Sequence, residues 1–402
     1  MSQKPSSSAI PYELPRSMIG YRQNEVMVAL VEARSTVAML KELPYQKSWV
    51  EELQRIELKR EVAGTSRIEG AEFTEGELAT AMSETLEQLH SRSQRQARAA
   101  LDAYRWIAEL PTDRPIDTSV ILEIHRRMVT GADDDHCAPG QLRRIDQNVT
   151  FGAPRHRGVE GGQPCGEALD ALVRAMQHEF REHDPLIQAL AAHFQFAAMH
   201  PFEDGNGRTA RALEALMLQR AGLRESCFIA MSNYYYDEKT AYLAALSQLR
   251  REGFDLTPFL IFGLQGITSQ SRRMVAAIKH ELSKGLYRNL MYDLFKRLKT
   301  PRRRVVAERQ LELLKVMLEV ERIPVDALIA RTEPVYASLS NPRKAVIRDL
   351  NDLHGLGAVE VVEEKLGLSV RIRLEWPSEI TETRFFEQLN ALPKAKSHPF
   401  LQ

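Results

Sequence analysis

The sequence predicts a mainly α-helical protein that ends in a small α+β winged helix-turn-helix. Over most of the chain before residue 300, apolar residues recur at three- and four-residue spacing, which is the period of an amphipathic helix. Residues 131–166 interrupt this pattern with many Gly and Pro residues. After residue 305, three short helical runs precede two alternating apolar segments, at 358–362 and 369–374. This order is typical of three helices followed by a β-hairpin.

The individual elements follow from the same periodicity. Pro111 ends the second helical run, because proline cannot continue a helix. The loop at 131–166 is unusually long for a compact domain, and such loops are often lids or binding loops. The predicted helical runs cover residues 22–64, 75–110, 118–129, 167–183, 186–199, 208–221, 239–250, 258–299, 307–318, 324–330 and 342–353.

Composition indicates a globular protein without a whole-molecule electrostatic partner. Lys+Arg 54 balance Asp+Glu 54, which argues against nucleic acid or an anionic membrane as a general partner. We find neither the run of about 20 apolar residues that a membrane span needs nor the apolar core of a secretory signal. Cys137, Cys165 and Cys227 are too scattered for a disulfide framework or a zinc site. We therefore expect free thiols and a cytoplasmic location.

Changes in charge and in the pattern of apolar residues along the chain predict five parts. The basic block at 296–304 is the strongest charge run and marks a boundary. The parts are an N-terminal helical region (1–110), a catalytic core (111–265), a helical and basic linker (266–304), the winged helix-turn-helix (305–376) and a C-terminal tail (377–402).

The segment His200 to Arg211, HPFEDGNGRTAR, carries the chemistry. A Gly-Asn-Gly turn leads directly into a helix, so free backbone N–H groups and the positive helix end meet at one spot. Arg208 and Arg211 share a face of the first turn and suit an oligophosphate. Asp204 supplies a carboxylate for a phosphate-bridging Mg²⁺, and His200 supplies a general base near neutral pH.

Taken residue by residue, the same segment is also compatible with a capped interhelical turn that bears surface arginines. The joint occurrence of base, metal ligand and phosphate cradle favours attack on a nucleotide. No G-x-x-x-x-G-K-[ST] sequence occurs, which excludes a P-loop NTPase.

His200–Arg211 resembles the H-x-F-x-[DE]-G-N-G-R-x-x-R motif of the Fic (filamentation induced by cAMP) family. Pro139 to Arg143 is similar to the P-G-x-x-R segment that the family has before its flap. The resemblance implies a Fic-type helical bundle with a small β-hairpin flap. It places the target-docking flap at Val149, Thr150, Phe151 and Gly152, and adenine-pocket positions at Ser232, Tyr234 and Tyr242.

The resemblance also implies an activity, the transfer of AMP from ATP to a Ser, Thr or Tyr hydroxyl of a protein or of the chain itself. By position, His200 would deprotonate the hydroxyl and Asp204 would hold Mg²⁺. Phe202 would pack into the core and fix the loop. The α-phosphate would bind Asn206 and the backbone of Gly205 and Gly207, the β-phosphate Arg208 and the γ-phosphate Arg211.

Thr65 to Gly70 resembles the inhibitory [ST]-x-x-x-E-[GN] motif of the same family. In the subgroup with this motif N-terminal to the core, its Glu inhibits within the same chain. The resemblance implies that Glu69 pairs with Arg211, where the γ-phosphate would bind. The motif alone is also compatible with an exposed Glu near the end of a helix.

Several alternatives stay open at this stage. The enzyme could use another nucleotide donor such as UTP, or remove AMP from a modified protein. A different class of function is a DNA-binding regulator that acts through the winged helix, but the third helical run mixes Arg and Lys with Asp. A protein-recognition role or a homodimer is an equal alternative there. We interpret His193 as a core histidine. Asp133 to His136 could suggest a metal site, but we interpret this segment as a solvated acidic loop.

Overall fold

The structure is a computed structural model that describes residues 9–44, 47–223, 229–248, 255–298, 301–364 and 367–392. It is mainly helical, as the sequence predicts. The helices are α1 (Gln23–Glu42), α2 (Lys47–Ile68), α3 (Glu75–Ser83), α4 (Arg92–Glu109), α5 (Thr118–Val129), α6 (Gln163–Gln177), α7 (Pro185–Met199), α8 (Asn206–Leu218), α9 (Met231–Asp237), α10 (Lys239–Gln248), α11 (Thr257–Lys296), α12 (Pro301–Val320), α13 (Val325–Tyr336), α14 (Pro342–Gly355), α15 (Trp376–Glu379) and α16 (Glu382–Ala391). The strands are β1 (Thr150–Phe151), β2 (His156–Arg157), β3 (Arg322–Pro324), β4 (Val359–Glu364) and β5 (Gly367–Ile372).

The chain divides into two compact units, residues 1–276 and 277–402. The five-part division expected from sequence stays a prediction. Within the described ranges, no helix combines the length and apolar character that a membrane crossing requires.

Helix α7 forms the centre of the first unit. Asp184 caps its start by accepting a hydrogen bond from the Leu186 N–H at 2.9 Å, and Pro185 occupies the first helical position. Ala and Leu side chains make the helix apolar on all sides, so almost every residue is buried. Helix α8 packs against it. The buried α7 therefore provides a rigid base for the segment that follows Met199.

Helix α2 continues through Gly64, although the sequence periodicity fades there. An added Cβ at Gly64 would lie 2.5 Å from the backbone of Ser232 and Asn233, so only glycine allows α2 to approach α9 this closely. The predicted run 22–64 is thus two helices, α1 and α2. Helix α9 follows no clear period and was not expected from the sequence.

Strands β1 and β2 form the small hairpin expected in the 131–166 segment. They pair antiparallel, with Thr150 opposite Arg157 and Phe151 opposite His156. Gly152 takes a φ of 73°, which suits glycine in the turn. Of the four residues expected to form the flap, Thr150 and Phe151 form β1, Val149 directly precedes it and Gly152 directly follows it.

The second unit contains the three helices and the hairpin that the sequence predicts after residue 305. Its sheet has the order β3-β5-β4, with both neighbouring pairs antiparallel. Strand β3 was not expected, because it has only three residues. The helix and strand order is consistent with a winged helix-turn-helix, which stays a prediction. Residues 382–391, expected to lie in a tail, form α16 and bury Phe385.

Candidate active site

A cavity of about 340 Å³ in the first unit collects most of the residues that the motif singled out. The end of α2, the flap, α7, the start of α8 and α10 all contribute to its wall. The lining residues include Ile68, Glu69, Phe151, Gly152, His156, Phe194, Ala197, His200, Asp204, Asn206, Gly207, Arg211, Lys239, Tyr242, Leu243 and Ser247.

His200 lies at the end of α7, where the chain turns sharply. Its φ of 51° and ψ of 61° are left-handed, an unusual conformation for a non-glycine residue. Its Nδ1 lies 3.1 Å from the Ala197 carbonyl oxygen, which only accepts, so Nδ1 carries the proton. In the neutral ring Nε2 is then the proton acceptor. The Phe151 ring stacks on the imidazole at 3.7 Å between ring centroids.

Two side chains fix the loop between α7 and α8 from within. Phe202 is fully buried and stacks on the His125 ring at 3.6 Å between ring centroids. The Asn206 side chain accepts a hydrogen bond from the Phe202 N–H at 2.9 Å and donates one to the Phe202 carbonyl at 2.8 Å. Its side-chain amide therefore spans the loop, and the α-phosphate contact expected of Asn206 stays a prediction.

The first N–H groups of α8 lack intrahelical partners, and Asn206 and Gly207 at this helix start line the cavity. Gly205 precedes the helix with a φ of 74°, and an added Cβ there would lie 2.6 Å from Val129. Gly207 also lines the cavity. Unpaired N–H groups at a positive helix end form an anion site.

Asp204 fits a magnesium ligand beside that anion site. Its side chain is 39% exposed and lines the cavity. One carboxylate oxygen accepts from the Gly205 N–H at 2.6 Å, and the other lies 3.6 Å from the Arg208 guanidinium. Mg²⁺ commonly binds one or two carboxylates together with phosphate oxygens and waters. In the described part of the chain, no group of three or more His, Cys, Asp or Glu could hold a metal ion.

Arg211 is buried and contacts the segment Thr65 to Gly70 at the end of α2. Its Nη2 donates to Glu69 Oε1 at 2.6 Å, and its Nε donates to the Thr65 hydroxyl at 2.9 Å. Burial alone would raise the pKa of Glu69, but Arg211 and Arg208 hold that pKa below its ordinary value. Glu69 Oε1 would lie 2.4 Å from a Cβ added to Gly207. The Glu69 carboxylate therefore lies against the start of α8.

Arg208 differs from expectation, because it is not among the described residues that line the cavity. Its side chain is 1% exposed, and its Nη1 donates to the buried Asp133 at 2.5 Å. Asp133 also accepts from Arg92 at 2.8 Å and from Gln96 at 2.9 Å. The solvated-loop interpretation therefore fails for Asp133, because these donors give a buried carboxylate its partners. It applies to Asp134 and Asp135, which are exposed.

The tyrosines expected near the nucleotide separate in the structure. Tyr242 lines the cavity, and burial raises its pKa to about 12. Its hydroxyl lies 2.9 Å from Nε2 of His193, and Nδ1 of this fully buried histidine contacts Glu214. Tyr234 is not among the described lining residues. Its ring packs on Phe262 at 5.1 Å between ring centroids.

Ser232 also lies away from the cavity wall. Its backbone N–H and its hydroxyl both donate to Glu61, a buried carboxylate on α2. Ser232 therefore connects α9 to α2. Cys137 and Cys165 are buried free thiols, and Cys227 lies outside the described residues.

Sequence reasoning missed two residues that support the site. His125 bonds the Asp204 carbonyl oxygen at 3.0 Å, and burial lowers the pKa of His125 to about 4, so its ring is neutral. Lys239 lines the cavity and donates to the Ile68 carbonyl at 2.8 Å, at the end of α2. The sequence around His125 and around Lys239 matches no motif, so sequence reasoning had no signal for either residue.

Comparison with known proteins finds a family match across this site. Residues 115–218 match the Fic/DOC family. The chain is 29% identical over 161 residues to protein adenylyltransferase fic-1 of Caenorhabditis briggsae, covering 40% of this chain and 29% of that protein. It is 33% identical over 150 residues to protein adenylyltransferase Fic of Drosophila virilis, covering 35% of this chain and 26% of that protein. These matches thus span less than a third of the relatives' length.

Solved structures share the fold. Fic-1 (residues 134–508) of Caenorhabditis elegans aligns with a TM-score of 0.53 at 21% identity, over 63% of this chain and 74% of that one. A Fic family protein from Desulfovibrio desulfuricans G20 aligns with a TM-score of 0.55 at 16% identity, over 90% of this chain and 98% of that one.

Proposed function

Since residues 115–218 match the Fic/DOC family, we propose that this chain is a protein adenylyltransferase. It transfers AMP from ATP to a hydroxyl group of another protein or of itself. One observation carries the proposal: His200, Asp204, the start of α8 and Arg211 line a single cavity. A base, an anion site and a metal ligand at one place are what attack on a nucleotide phosphate requires.

Each of these groups has a separate role in the reaction. The target hydroxyl oxygen attacks the α-phosphorus while His200 Nε2 takes its proton. The bond from the α-phosphorus to the bridging oxygen breaks, and pyrophosphate leaves. The N–H groups at the start of α8 and the Arg211 guanidinium bind the phosphate oxygens and stabilise their charge. Asp204 is the residue that would hold Mg²⁺, which neutralises phosphate charge when bound.

The flap brings the target hydroxyl to the base. Phe151, on β1, lies directly on the His200 ring, so an extended target segment along this hairpin would pass close to Nε2. Hairpin edges bind extended chains through main-chain hydrogen bonds, with little demand on sequence. Such a mode suits acceptors that share a hydroxyl but differ in their neighbouring residues.

Glu69 acts as an inhibitor within the chain. Its carboxylate pairs with Arg211 and lies over Gly207, so it carries negative charge where the γ-phosphate of ATP would bind. Charge-assisted Arg–carboxylate bonds are strong when partly buried, and here the Glu69 side chain is 32% exposed. Productive binding of ATP therefore requires Glu69 to move away from Arg211.

The test uses ATP labelled at the α-phosphate, with Mg²⁺, on the wild type, Glu69→Gly, and Glu69→Gly combined with His200→Ala. Each protein is assayed alone and with a cell lysate. We expect weak labelling of protein by the wild type, strong labelling by Glu69→Gly and none by the double variant. Glu72→Gly is the matched control, because Glu72 is exposed just after α2, and it should label like the wild type.

Equal labelling by the wild type and Glu69→Gly at matched concentrations would contradict the inhibitory role. Undiminished labelling in the double variant would contradict His200 as the base. If labelled ATP gives no product, competition with UTP and an assay for AMP release from modified protein identify the two alternative reactions.

A further inference from the structure

Arg143 lies where the base of the flap meets the catalytic loop. Its side chain is 1% exposed, and its guanidinium donates to three backbone carbonyl groups. Nε donates to the His200 carbonyl at 3.0 Å, Nη1 donates to Gln147 at 2.7 Å and Nη2 donates to Val159. The Arg143 backbone N–H donates to the Pro201 carbonyl at 3.0 Å.

The three carbonyl groups belong to different parts of the site. Gln147 precedes β1 and Val159 follows β2, so they lie on the two limbs of the flap. The third carbonyl is that of His200, whose left-handed backbone is uncommon outside glycine. One rigid, planar group with several fixed donors therefore joins both flap limbs to the turn that carries the base.

The surroundings of Gly158 show how tightly these parts approach. A Cβ at Gly158 would lie 3.0 Å from Arg143 Nη2, 3.0 Å from the Met199 carbonyl oxygen and 3.1 Å from His200 Cβ. The flap limb, the guanidinium and the end of α7 are thus in direct contact. The flap thus contacts the His200 turn in two places. One contact is the stacking of Phe151 on the His200 ring, and the other is made through Arg143.

We propose that Arg143 is a positioning residue for AMP transfer. It holds the His200 backbone in its turn and fixes the flap above Nε2, so that a docked segment presents its hydroxyl to the base. This inference rests on the proposed function. It assigns Arg143 no contact with the nucleotide, so loss of Arg143 should affect turnover rather than ATP binding.

The experiment uses the full chain in the Glu69→Gly background, with Arg143→Met and Arg143→Lys. The matched control is Arg144→Met, since Arg144 is the next residue and its side chain is 77% exposed. For Arg143→Met we expect a fall in kcat of about 100-fold, the scale of a displacement of about 1 Å in a catalytic group. Arg143→Lys should recover part of this loss, because its ammonium can still bond one or two of the carbonyl groups. Arg144→Met should keep the kcat of the background.

ATP affinity, measured by calorimetry on the same proteins, should stay within about twofold in every variant. A kcat of Arg143→Met equal to that of Arg144→Met would overturn the proposal. So would an ATP affinity that falls as far as kcat. Thermal unfolding of each variant identifies a loss of folding, and if Arg143→Met does not fold, the same comparison is made with Arg143→Lys.

Failure of the proposed function would be recognised separately, because the Glu69→Gly background would then transfer no AMP. The positioning of the flap is still measurable in that case by amide hydrogen exchange. Arg143→Lys should speed exchange at Gly158 and Val159, whose N–H groups bond Val149 and Met199 at 3.2 and 2.9 Å. Unchanged exchange at both amides would overturn the proposal.

Discussion

Asp133 is a buried carboxylate that compensates the charge of a motif arginine. It accepts a hydrogen bond from Arg208 on one oxygen and from Arg92 on the other. In Asp133→Ala the buried Arg208 would lose its counter-charge, and breaking a buried pair in this way costs roughly 3–5 kcal/mol. We therefore expect the free energy of unfolding, measured in urea, to fall by about 3 kcal/mol.

Asp135→Ala is the control for that measurement. Its side chain is 75% exposed two residues further along the same loop, so the free energy of unfolding should change by no more than about 0.5 kcal/mol. Equal stability of the two variants would show that Asp133 does not compensate Arg208.

At the scale of single residues, the sequence predicts which residues form the site better than it predicts which residues they contact. His200, Asp204 and Arg211 come together because they are close in sequence around one helix start. Asp133 lies 75 residues before Arg208, and no local pattern in an acidic run distinguishes its one buried member. Asn206 shows a related limit of sequence reasoning. The sequence predicts that it binds phosphate, but its side chain forms hydrogen bonds within the loop between α7 and α8.

At the scale of elements, α2 carries a buried carboxylate whose ionisation should oppose folding. Glu61 accepts hydrogen bonds from Tyr104 at 2.8 Å and from the Ser232 N–H at 2.8 Å. Desolvation by burial nonetheless raises the pKa of Glu61 to about 7, above its ordinary 4.5. The folded protein therefore holds a proton between these values that the unfolded chain releases. The contribution of Glu61 to stability should therefore be greatest below about pH 4.5 and fall as pH rises from about 4.5 to 7.

The measurement is urea unfolding of the wild type and Glu61→Gln at several pH values, where glutamine imitates the protonated carboxyl group. Relative to Glu61→Gln, the wild type should lose roughly 1.4 kcal/mol per pH unit across the window, or about 3 kcal/mol in total. Comparison within each pH cancels the titration of other groups. A constant difference between the two proteins from pH 5 to pH 8 would show that Glu61 does not titrate in this range.

Helices and strands were predictable where they are long enough to show a repeat of apolar residues. Helix α5 has the limits that the sequence predicts, because its apolar positions and its Asp117 cap agree. Helix α9 and strand β3 are too short to show a period. The extent of α2 depends on its close approach to α9 at Gly64, a tertiary contact that sequence spacing does not encode.

At the scale of the whole molecule, the residues of the candidate site all fall in the unit formed by residues 1–276. The alternative function, DNA binding, depends on the unit formed by residues 277–402. There α14, the third predicted helical run, has two arginines that form ion pairs within the unit. Arg343 pairs with Asp326 at 2.7 Å, and Arg348 pairs with Asp349 at 3.2 Å. Phosphate binding would have to replace both ion pairs.

We therefore expect the full chain to bind duplex DNA only weakly. At about 150 mM salt, fluorescence anisotropy with a short labelled duplex should give a Kd weaker than about 10 µM, in the range of non-specific binding. Asp326→Asn is the informative variant, because it releases Arg343 and should strengthen binding slightly at low salt. Tight binding that falls steeply with salt and survives His200→Ala would instead assign a DNA-binding function to the C-terminal unit. In that case Arg343 and Arg348 would contact DNA phosphates in place of their ion pairs with Asp326 and Asp349.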